Sequence, residues 1–172
     1  MAAMKPEEPM TSGTVIQVSL GPGGVPNRPV ASAGVTVEGL EGDRFRFPDV
    51  HGLPGQAVLI LTEAALEELK AEGFALFAGA LGENLTVRGI GRREIVPGQR
   101  WRVGDEVILE TTKSRSPCKT LDVYGETLRS RIHDGLAKRN DPASPVWGLS
   151  GVYARVITGG RVKPGDTMTL AG

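Results

Sequence analysis

The stretch RWRVGDEVILET, residues 100–111, contains two short β-type runs, 100–103 and 106–111, which meet at a Gly-Asp pair. Glycine supplies the backbone freedom that a tight turn needs, and aspartate can accept a hydrogen bond from a neighbouring backbone N–H. A weaker copy of the pattern, PGDTMTL, occupies residues 164–170. Both copies predict a strand that starts directly after a turn, and we interpret both aspartates as structural.

Further β-type runs lie outside this stretch, and glycine or proline separates them. The 24 glycines and 12 prolines are spread along the chain rather than clustered, which is typical of turns and not of a linker. Short strands separated by such turns predict a mostly-β fold with a few helices, closed as a barrel or sandwich. The runs are residues 14–19, 35–38, 57–61, 84–87, 151–156 and 167–170.

Two segments have a helical pattern. In the first, Thr62 is placed to cap the helix and Gly73 to end it; the apolar side is formed by Ala65, Leu66 and Leu69. The second helix is predicted over residues 126–138, with His133 off its apolar side and therefore in solvent. Its apolar stripe has the spacing i, i+4, i+8 and consists of Leu128, Ile132 and Leu136.

The length of 172 residues suits one domain with a sizeable core. Residues 1–12, MAAMKPEEPMTS, are polar, contain two prolines and lack an apolar centre. We therefore predict a flexible N-terminal tail there rather than a signal peptide. Residues 13–172 are predicted to form the single domain.

Charge and hydropathy exclude several classes of partner. Basic and acidic residues both number 20, so the formal net charge is zero. Whole-molecule attraction to nucleic acid or to an anionic membrane is not expected, although a local basic pocket escapes such a count. No run approaches the ~18 apolar residues of a membrane span. Together with the single cysteine, these features fit a cytoplasmic protein.

Cys118 is the only cysteine, so this chain alone builds no intrachain disulfide, cysteine-based zinc site or iron–sulfur cluster. It lies in KSRSPCK, residues 113–119. Arg115 and Lys119 are cations that favour the thiolate, the form that acts as nucleophile or metal ligand. Pro117 stiffens the backbone before the sulfur. The segment predicts a reactive sulfur on a constrained loop, and the alternative is a small buried hydrophobe without chemistry.

Four other segments hold polar residues between glycines or prolines, where backbone can approach a ligand closely. None has the spacing of a P-loop or of a dinucleotide fingerprint. The two histidines, His51 and His133, are too few for a multi-histidine zinc site. His51 is either a ligand contact or a side chain that stabilises its turn. The four segments are NRPV (27–30), GLEGDR (39–44), HGLPGQAV (51–58) and GENLT (82–86).

Taken together, these motifs resemble the MOSC family, which is named for the C-terminal domain of molybdenum cofactor sulfurase. The resemblance covers about residues 14–170. Each motif alone is unspecific, and their order along the chain carries the resemblance. In sequence they are RPV (28–30), GLEGD (39–43), HG (51–52) with QAV (56–58), GENL (82–85), SRSPC (114–118) and GVYARV (151–156) with PGD (164–166).

The resemblance implies a closed, barrel-like β fold and a molybdenum cofactor, molybdopterin with its metal. Relatives in the family include enzymes that reduce N-hydroxylated compounds, such as amidoximes and hydroxylamino bases. If this chain is such a reductase, its electrons are expected from a partner protein, because one cysteine provides no iron–sulfur relay. Pyridoxal phosphate binding is a further, family-level association.

Carried over motif by motif, the resemblance makes Cys118 the molybdenum ligand or a persulfide sulfur carrier, and thiolate suits a metal already bound to sulfur. It places Asn84 against the cofactor. It implies that guanidinium and hydroxyl groups bind the phosphate or pterin end of the cofactor, since guanidinium matches phosphate geometry. The cofactor-binding residues implied in this way are Arg28, Asp43, His51, Asn84, Arg115 and Ser116; Asp43 and His51 belong to the pattern without an assigned role.

Two positions depart from the family pattern. Leu53 stands where many relatives have a second glycine, which puts a loop contact near His51 in doubt. Lys119 stands where relatives often carry a different residue.

Three functions remain open at this point. The first is a molybdenum-dependent oxidoreductase that receives electrons from a partner protein. The second is a carrier of persulfide sulfur or cofactor, served by a sulfur-donor protein. The third is an interaction domain with an inert cysteine. The cations beside Cys118 stabilise an anionic sulfur in the first two cases alike.

Overall fold

The computed structural model describes residues 11–44 and 53–171. Most of the regular structure is β. The strands are β1 (Ser12–Leu20), β2 (Arg28–Val30), β3 (Ala33–Thr36), β4 (Gly39–Leu40), β5 (Val58–Thr62), β6 (Leu85–Arg88), β7 (Arg100–Val103), β8 (Val107–Ser114), β9 (Val152–Thr158), β10 (Gly160–Val162) and β11 (Thr167–Leu170). The helices are α1 (Glu63–Ala71), α2 (Leu128–Ile132) and α3 (Gly135–Lys138), with 3-10 helices at Pro54–Gln56 and Lys119–Tyr124.

Seven strands close into a barrel in the order β11-β7-β8-β9-β5-β6-β1, because β1 also pairs with β11. All of these pairs are antiparallel except β5 with β6. β2 extends the sheet at the far end of β1, and β10, β3 and β4 form a small second sheet. The predicted closed, mostly-β barrel is confirmed.

The two Gly-Asp turns pack against each other where the barrel closes. Gly104 has φ +66°, and a Cβ there would lie 2.8 Å from a carboxylate oxygen of Asp166. That same oxygen, Oδ2, accepts a hydrogen bond from the backbone N–H of Lys163 at 2.9 Å. The structural interpretation of Asp166 is therefore confirmed: its side chain organises the turn before β11.

The apolar residues form two clusters. The larger fills the barrel and includes the fully buried Trp101 and Trp147. The indole N–H of Trp147 donates to the carbonyl of Ile95 at 2.8 Å, so its polar atom is satisfied. The smaller cluster lies between α1, the 3-10 helix at Lys119–Tyr124 and α2.

The first predicted helix is confirmed as α1. The Thr62 hydroxyl accepts a hydrogen bond from the N–H of Ala65 at 3.1 Å, which caps the first turn. The predicted apolar side is buried, and Gly73 follows the helix with φ +99°.

The prediction of one continuous second helix over residues 126–138 is wrong. It is split into α2 and α3 because His133 is extended (φ −148°, ψ 142°) and Asp134 begins a new helix by accepting from the N–H of Ala137 at 2.8 Å. The break rotates the apolar stripe, so that Ala137 rather than Leu136 is buried with Leu128 and Ile132.

The expectation that His133 lies in solvent is also wrong. Both of its ring nitrogens are buried, and neither has a hydrogen-bond partner within the described part of the chain. Burial lowers the pKa of His133, and the negative charge of Asp134 opposes that shift.

β1 begins at Ser12, the last residue given to the predicted tail, and the division into a tail and a single domain stays a prediction. Residues 1–10 of that tail lie outside the described residues. No helix within residues 11–44 and 53–171 has the length and apolar character needed to span a bilayer.

Candidate functional site

A pocket opens where the loops after β4 and β8 approach the start of β6. Polar and apolar groups both line it. Among the side chains that line it are Asn27, Asp43, Asn84, Arg115, Cys118 and Tyr153.

Cys118 reaches this pocket from the loop that follows β8. It is half-buried and immediately precedes the 3-10 helix Lys119–Tyr124. The sulfur lies 2.8 Å from the hydroxyl oxygen of Thr120. A hydroxyl at that position can donate a hydrogen bond to the sulfur.

The 3-10 helix that follows Cys118 is attached to α2 by a two-pronged ion pair. Nε and Nη2 of Arg129 donate to the two carboxylate oxygens of Asp122 at 2.8 and 3.1 Å. This pair lowers the pKa of Asp122. A bidentate guanidinium–carboxylate contact restricts geometry, so it orients the helix that carries Thr120.

Arg115 is a buried cation at the pocket wall, with only 4% of its surface exposed. Its backbone N–H donates to the carbonyl of Gly151 at 3.0 Å. Its guanidinium makes one long contact, 3.4 Å from Nη1 to the carbonyl of Ser150, and its Nε has no partner among the described residues. A buried, under-satisfied guanidinium is costly unless an anion completes its contacts.

Glu83 is the carboxyl group behind Arg115. It is fully buried, one oxygen accepts from the Thr86 hydroxyl at 3.0 Å, and the other has no partner within the described residues. Burial raises the pKa of Glu83, and the hydrogen bonds and the charge of Arg115 oppose the shift.

Asp43 and Asn84 line the same pocket. Oδ1 of Asp43 accepts from the N–H of Gly21 at 2.7 Å, and Oδ2 accepts from Nδ2 of Asn84 at 2.9 Å. Burial raises the pKa of Asp43, with those hydrogen bonds opposing. Asn84 lies directly before β6, and its Oδ1 accepts from the N–H of Leu59 at 3.0 Å.

The structure brings four of the predicted site residues to one pocket: Asp43, Asn84, Arg115 and Cys118. Arg28 lies elsewhere, exposed on β2. Ser116 is exposed on the outer side of the Cys118 loop, beside Lys138. His51 lies outside the described residues.

Sequence reasoning missed several pocket residues that lay inside or next to quoted motifs. Asn27 precedes the RPV motif, and its Nδ2 donates to the carbonyls of Gly82 and Glu83 at 3.0 and 3.3 Å, which fixes the loop before β6. Tyr153 lies in GVYARV, and burial raises its pKa while the charge of Arg115 opposes the shift. Thr120 follows the cysteine by two residues, and its hydroxyl reaches back to the sulfur.

Known proteins similar to this chain agree on its family. The family model described as MOSC domain matches residues 48–169. The protein YflK of Bacillus subtilis (strain 168) is 30% identical over 151 residues, which cover 86% of this chain and 62% of YflK. A protein named Reductase from Gibberella moniliformis is 30% identical over 95 residues, 54% of this chain and 15% of that protein. The chain thus spans under two thirds of the length of either relative.

Solved structures show the same fold. YiiM from Geobacillus stearothermophilus superimposes with a TM-score of 0.67 at 20% identity, covering 93% of this chain and 75% of YiiM. The YuaD protein from Bacillus subtilis gives a TM-score of 0.65 at 16% identity, covering 92% of this chain and 95% of YuaD.

Proposed function

The chain belongs to the MOSC domain family, and on that premise we propose that the Cys118 pocket binds the molybdenum cofactor and reduces N-hydroxylated compounds with electrons from a partner protein. The family is associated with binding of the molybdenum cofactor. The observation that carries the proposal is a half-buried sulfur and a buried, under-satisfied guanidinium, those of Cys118 and Arg115, in the wall of one pocket.

The residues present fit such a cofactor. The sulfur of Cys118 is a soft donor, which suits molybdenum that already carries sulfur ligands. The unpartnered Nε of Arg115 suits the anionic part of the cofactor, because guanidinium binds phosphate as a planar fork. Gly82 has φ +85° in the pocket wall, and its lack of a side chain keeps the space beside Arg115 open.

When bound, the cofactor supplies two-electron redox chemistry that protein side chains lack. The chain's own residues hold and shape the site. Thr120 fixes the sulfur of Cys118 through the 2.8 Å contact, Arg115 provides positive charge, and Asp43 provides a carboxyl group at the pocket wall.

Persulfide carriage is the second candidate, and the contact between Thr120 and the sulfur of Cys118 favours it equally. A hydroxyl donor stabilises a persulfide anion as it stabilises a thiolate. In that case a sulfur-donor protein would load Cys118, and intact-mass analysis would find a gain of one sulfur atom that a thiol reductant removes.

The test is reduction of an amidoxime, benzamidoxime, to the amidine by protein purified from a host that makes the cofactor, with reduced methyl viologen as artificial electron donor. We expect turnover by the wild type and none by Cys118→Ala. Arg115→Lys keeps the charge but loses the planar fork, so we expect lower cofactor content. Ser130→Ala, an exposed change on α2, serves as the matched control and should keep wild-type activity.

Equal turnover by the wild type and Cys118→Ala contradicts a role for this sulfur. No turnover, together with a reductant-labile extra sulfur on Cys118, makes the carrier the better account.

A further inference from the structure

Both N–H donors of the Asn84 carboxamide are used within the protein. Its Nδ2 donates to Oδ2 of Asp43 at 2.9 Å and to the carbonyl of Ser19 at 3.2 Å, and its Oδ1 accepts from the N–H of Leu59 at 3.0 Å. A carboxamide has two N–H donors. Both are in use, so Asn84 has no donor left for a ligand in the pocket.

The carboxyl of Asp43 is in the opposite situation. One oxygen accepts from Gly21 and the other from Asn84, at 2.7 and 2.9 Å. A carboxyl oxygen has a second lone-pair site, so the group keeps capacity for a further contact. Because both oxygens are fixed by donors on different segments, the group is held in one orientation at the pocket wall that it shares with Cys118.

We propose that Asp43 is the catalytic group that delivers a proton to the substrate, and that Asn84 is its positioning residue rather than a cofactor contact. This inference rests on the proposed function and adds to it the source of the proton. It also explains why Asn84, which is 4% exposed, is placed in the wall without a free donor.

The proton has a defined place in the reaction. Reduction of an N-hydroxylated compound breaks the N–O bond, and two electrons and two protons convert R–NH–OH to R–NH₂ and water. The electrons come from a reduced redox protein, for which reduced methyl viologen substitutes in the assay. Asp43 gives one proton to the leaving oxygen and regains it from solvent, and solvent supplies the other proton.

The surroundings of Asp43 suit an acid. Burial raises the pKa of the carboxyl, and hydrogen bonds from Gly21, Asn84 and the backbone of Arg44 oppose that shift. Other ionisable groups face the same pocket: Arg44, Arg115, Cys118 and Tyr153. A partly buried carboxyl in a cleft, with an elevated pKa, is the kind of group that enzymes use as a general acid.

The test combines a rate with a titration. Asp43→Asn should lower kcat for benzamidoxime on the order of 100-fold or more, the usual contribution of general acid catalysis. It should also remove the loss of activity with rising pH that the proposal predicts for the wild type. Asn84→Ala and the isosteric Asn84→Asp both remove the N–H donor to Asp43. Since that hydrogen bond lowers the pKa of Asp43, both variants should move the alkaline limb to higher pH while molybdenum content stays at the wild-type level.

The effect of Asn84 on the pKa of Asp43 can also be measured in protein without cofactor and without turnover. In ¹³C-carboxyl NMR the Asp43 signal, identified by its absence from Asp43→Asn, should titrate above the normal aspartate range and move further up in Asn84→Asp. Adding Asn84→Ala to Asp43→Asn should cost little further activity, because Asn84 acts through Asp43.

The outcomes separate this inference from the proposed function. Wild-type protein that contains molybdenum but reduces no N-hydroxylated compound contradicts the proposed function. An active wild type whose Asp43→Asn variant keeps its rate overturns the inference alone. Loss of molybdenum from both Asn84 variants also overturns it, because Asn84 would then be a cofactor contact.

Discussion

Cys118, Thr120 and Arg115 together determine what the pocket can do chemically. The sulfur is half-buried, a hydroxyl lies 2.8 Å from it, and a buried guanidinium shares its wall. These groups favour an anionic sulfur and an anionic ligand in the same space. An inert buried cysteine needs neither, so the geometry argues against the third function considered for this chain.

The hydroxyl of Thr120 gives the first prediction. Thr120→Val keeps the shape but removes the donor to the sulfur anion, so alkylation of Cys118 by iodoacetamide at pH 7 should slow severalfold, since the thiolate is the reacting form. Thr120→Ser keeps the hydroxyl and should react at nearly the wild-type rate. The measurement is the second-order rate constant by mass spectrometry. Equal rates for the valine and serine variants would show that the 2.8 Å contact does not affect the sulfur.

The sequence motifs identified part of the pocket correctly. The residues that they placed wrongly have a physical explanation. Asn84 and Cys118 reach one pocket because the barrel brings the start of β6 near the loop after β8, and Asp43 joins them from the loop after β4, where it bonds to Asn84. Arg28 was placed near them by motif, but it is exposed on β2. The order of motifs along the chain says nothing about the side to which a side chain points, and that side is set by strand pairing.

The role of Asn84 could not be predicted from its motif either. Its motif marks it as important, but its three hydrogen-bond partners come from β1, β5 and the loop after β4. Contacts between segments so distant in sequence are visible only once the barrel is closed.

At the scale of elements, two glycines with the same backbone angle test the role of close packing. Gly148 and Gly98 both have φ +84°, but a Cβ at Gly148 would strike the backbone carbonyl of Arg92, whereas Gly98 has nothing within 4 Å. Gly98→Ala should cost about 1 kcal/mol from the left-handed backbone alone. Gly148→Ala should cost about 3 kcal/mol or more, because the backbone must move as well. Urea unfolding measures both; equal losses would contradict the close approach.

The break between α2 and α3 gives a prediction on pH. His133 at that break has a pKa lowered by burial, so folding favours its neutral form. This contribution is complete above the normal histidine pKa of about 6.5 and is lost as pH falls through the lower folded value. Wild-type stability should therefore fall from pH 8 to pH 5 more steeply than that of His133→Gln, compared by urea midpoints. The control Ser130→Ala should keep the wild-type slope, and parallel slopes for the wild type and His133→Gln would disprove the assignment.

Strands of four or more residues and the uninterrupted α1 were predictable, whereas shorter strands and the interrupted helix were not. The strands β7 and β11 match their predicted bounds, and α1 has its predicted cap. β2, β4 and β10 have two or three residues each, too few for any period to show. The prediction of one continuous second helix was wrong because Asp134 caps a new helix. The regular apolar spacing of residues 126–138 gives no sign of that break.

For the whole molecule, closure of the barrel between β1 and β11 is the feature that completes the fold. Met168 on β11 is fully buried where that strand pairs with β1 and β7. Met168→Ala should lower the free energy of unfolding by about 2–5 kcal/mol, the usual cost of a large core truncation. Val37→Ala, at a side chain 70% exposed, should change it by less than about 0.5 kcal/mol. A loss at Met168 as small as that control would contradict a closed, packed barrel.

The central claim is that this domain holds a molybdenum cofactor through Cys118. The most direct measurement is the molybdenum content, by plasma mass spectrometry, of wild-type protein and Cys118→Ala purified side by side from a host that makes the cofactor. The account predicts molybdenum close to one atom per chain in the wild type and its loss in the variant. Wild-type protein without molybdenum, or equal molybdenum in both proteins, would contradict the account.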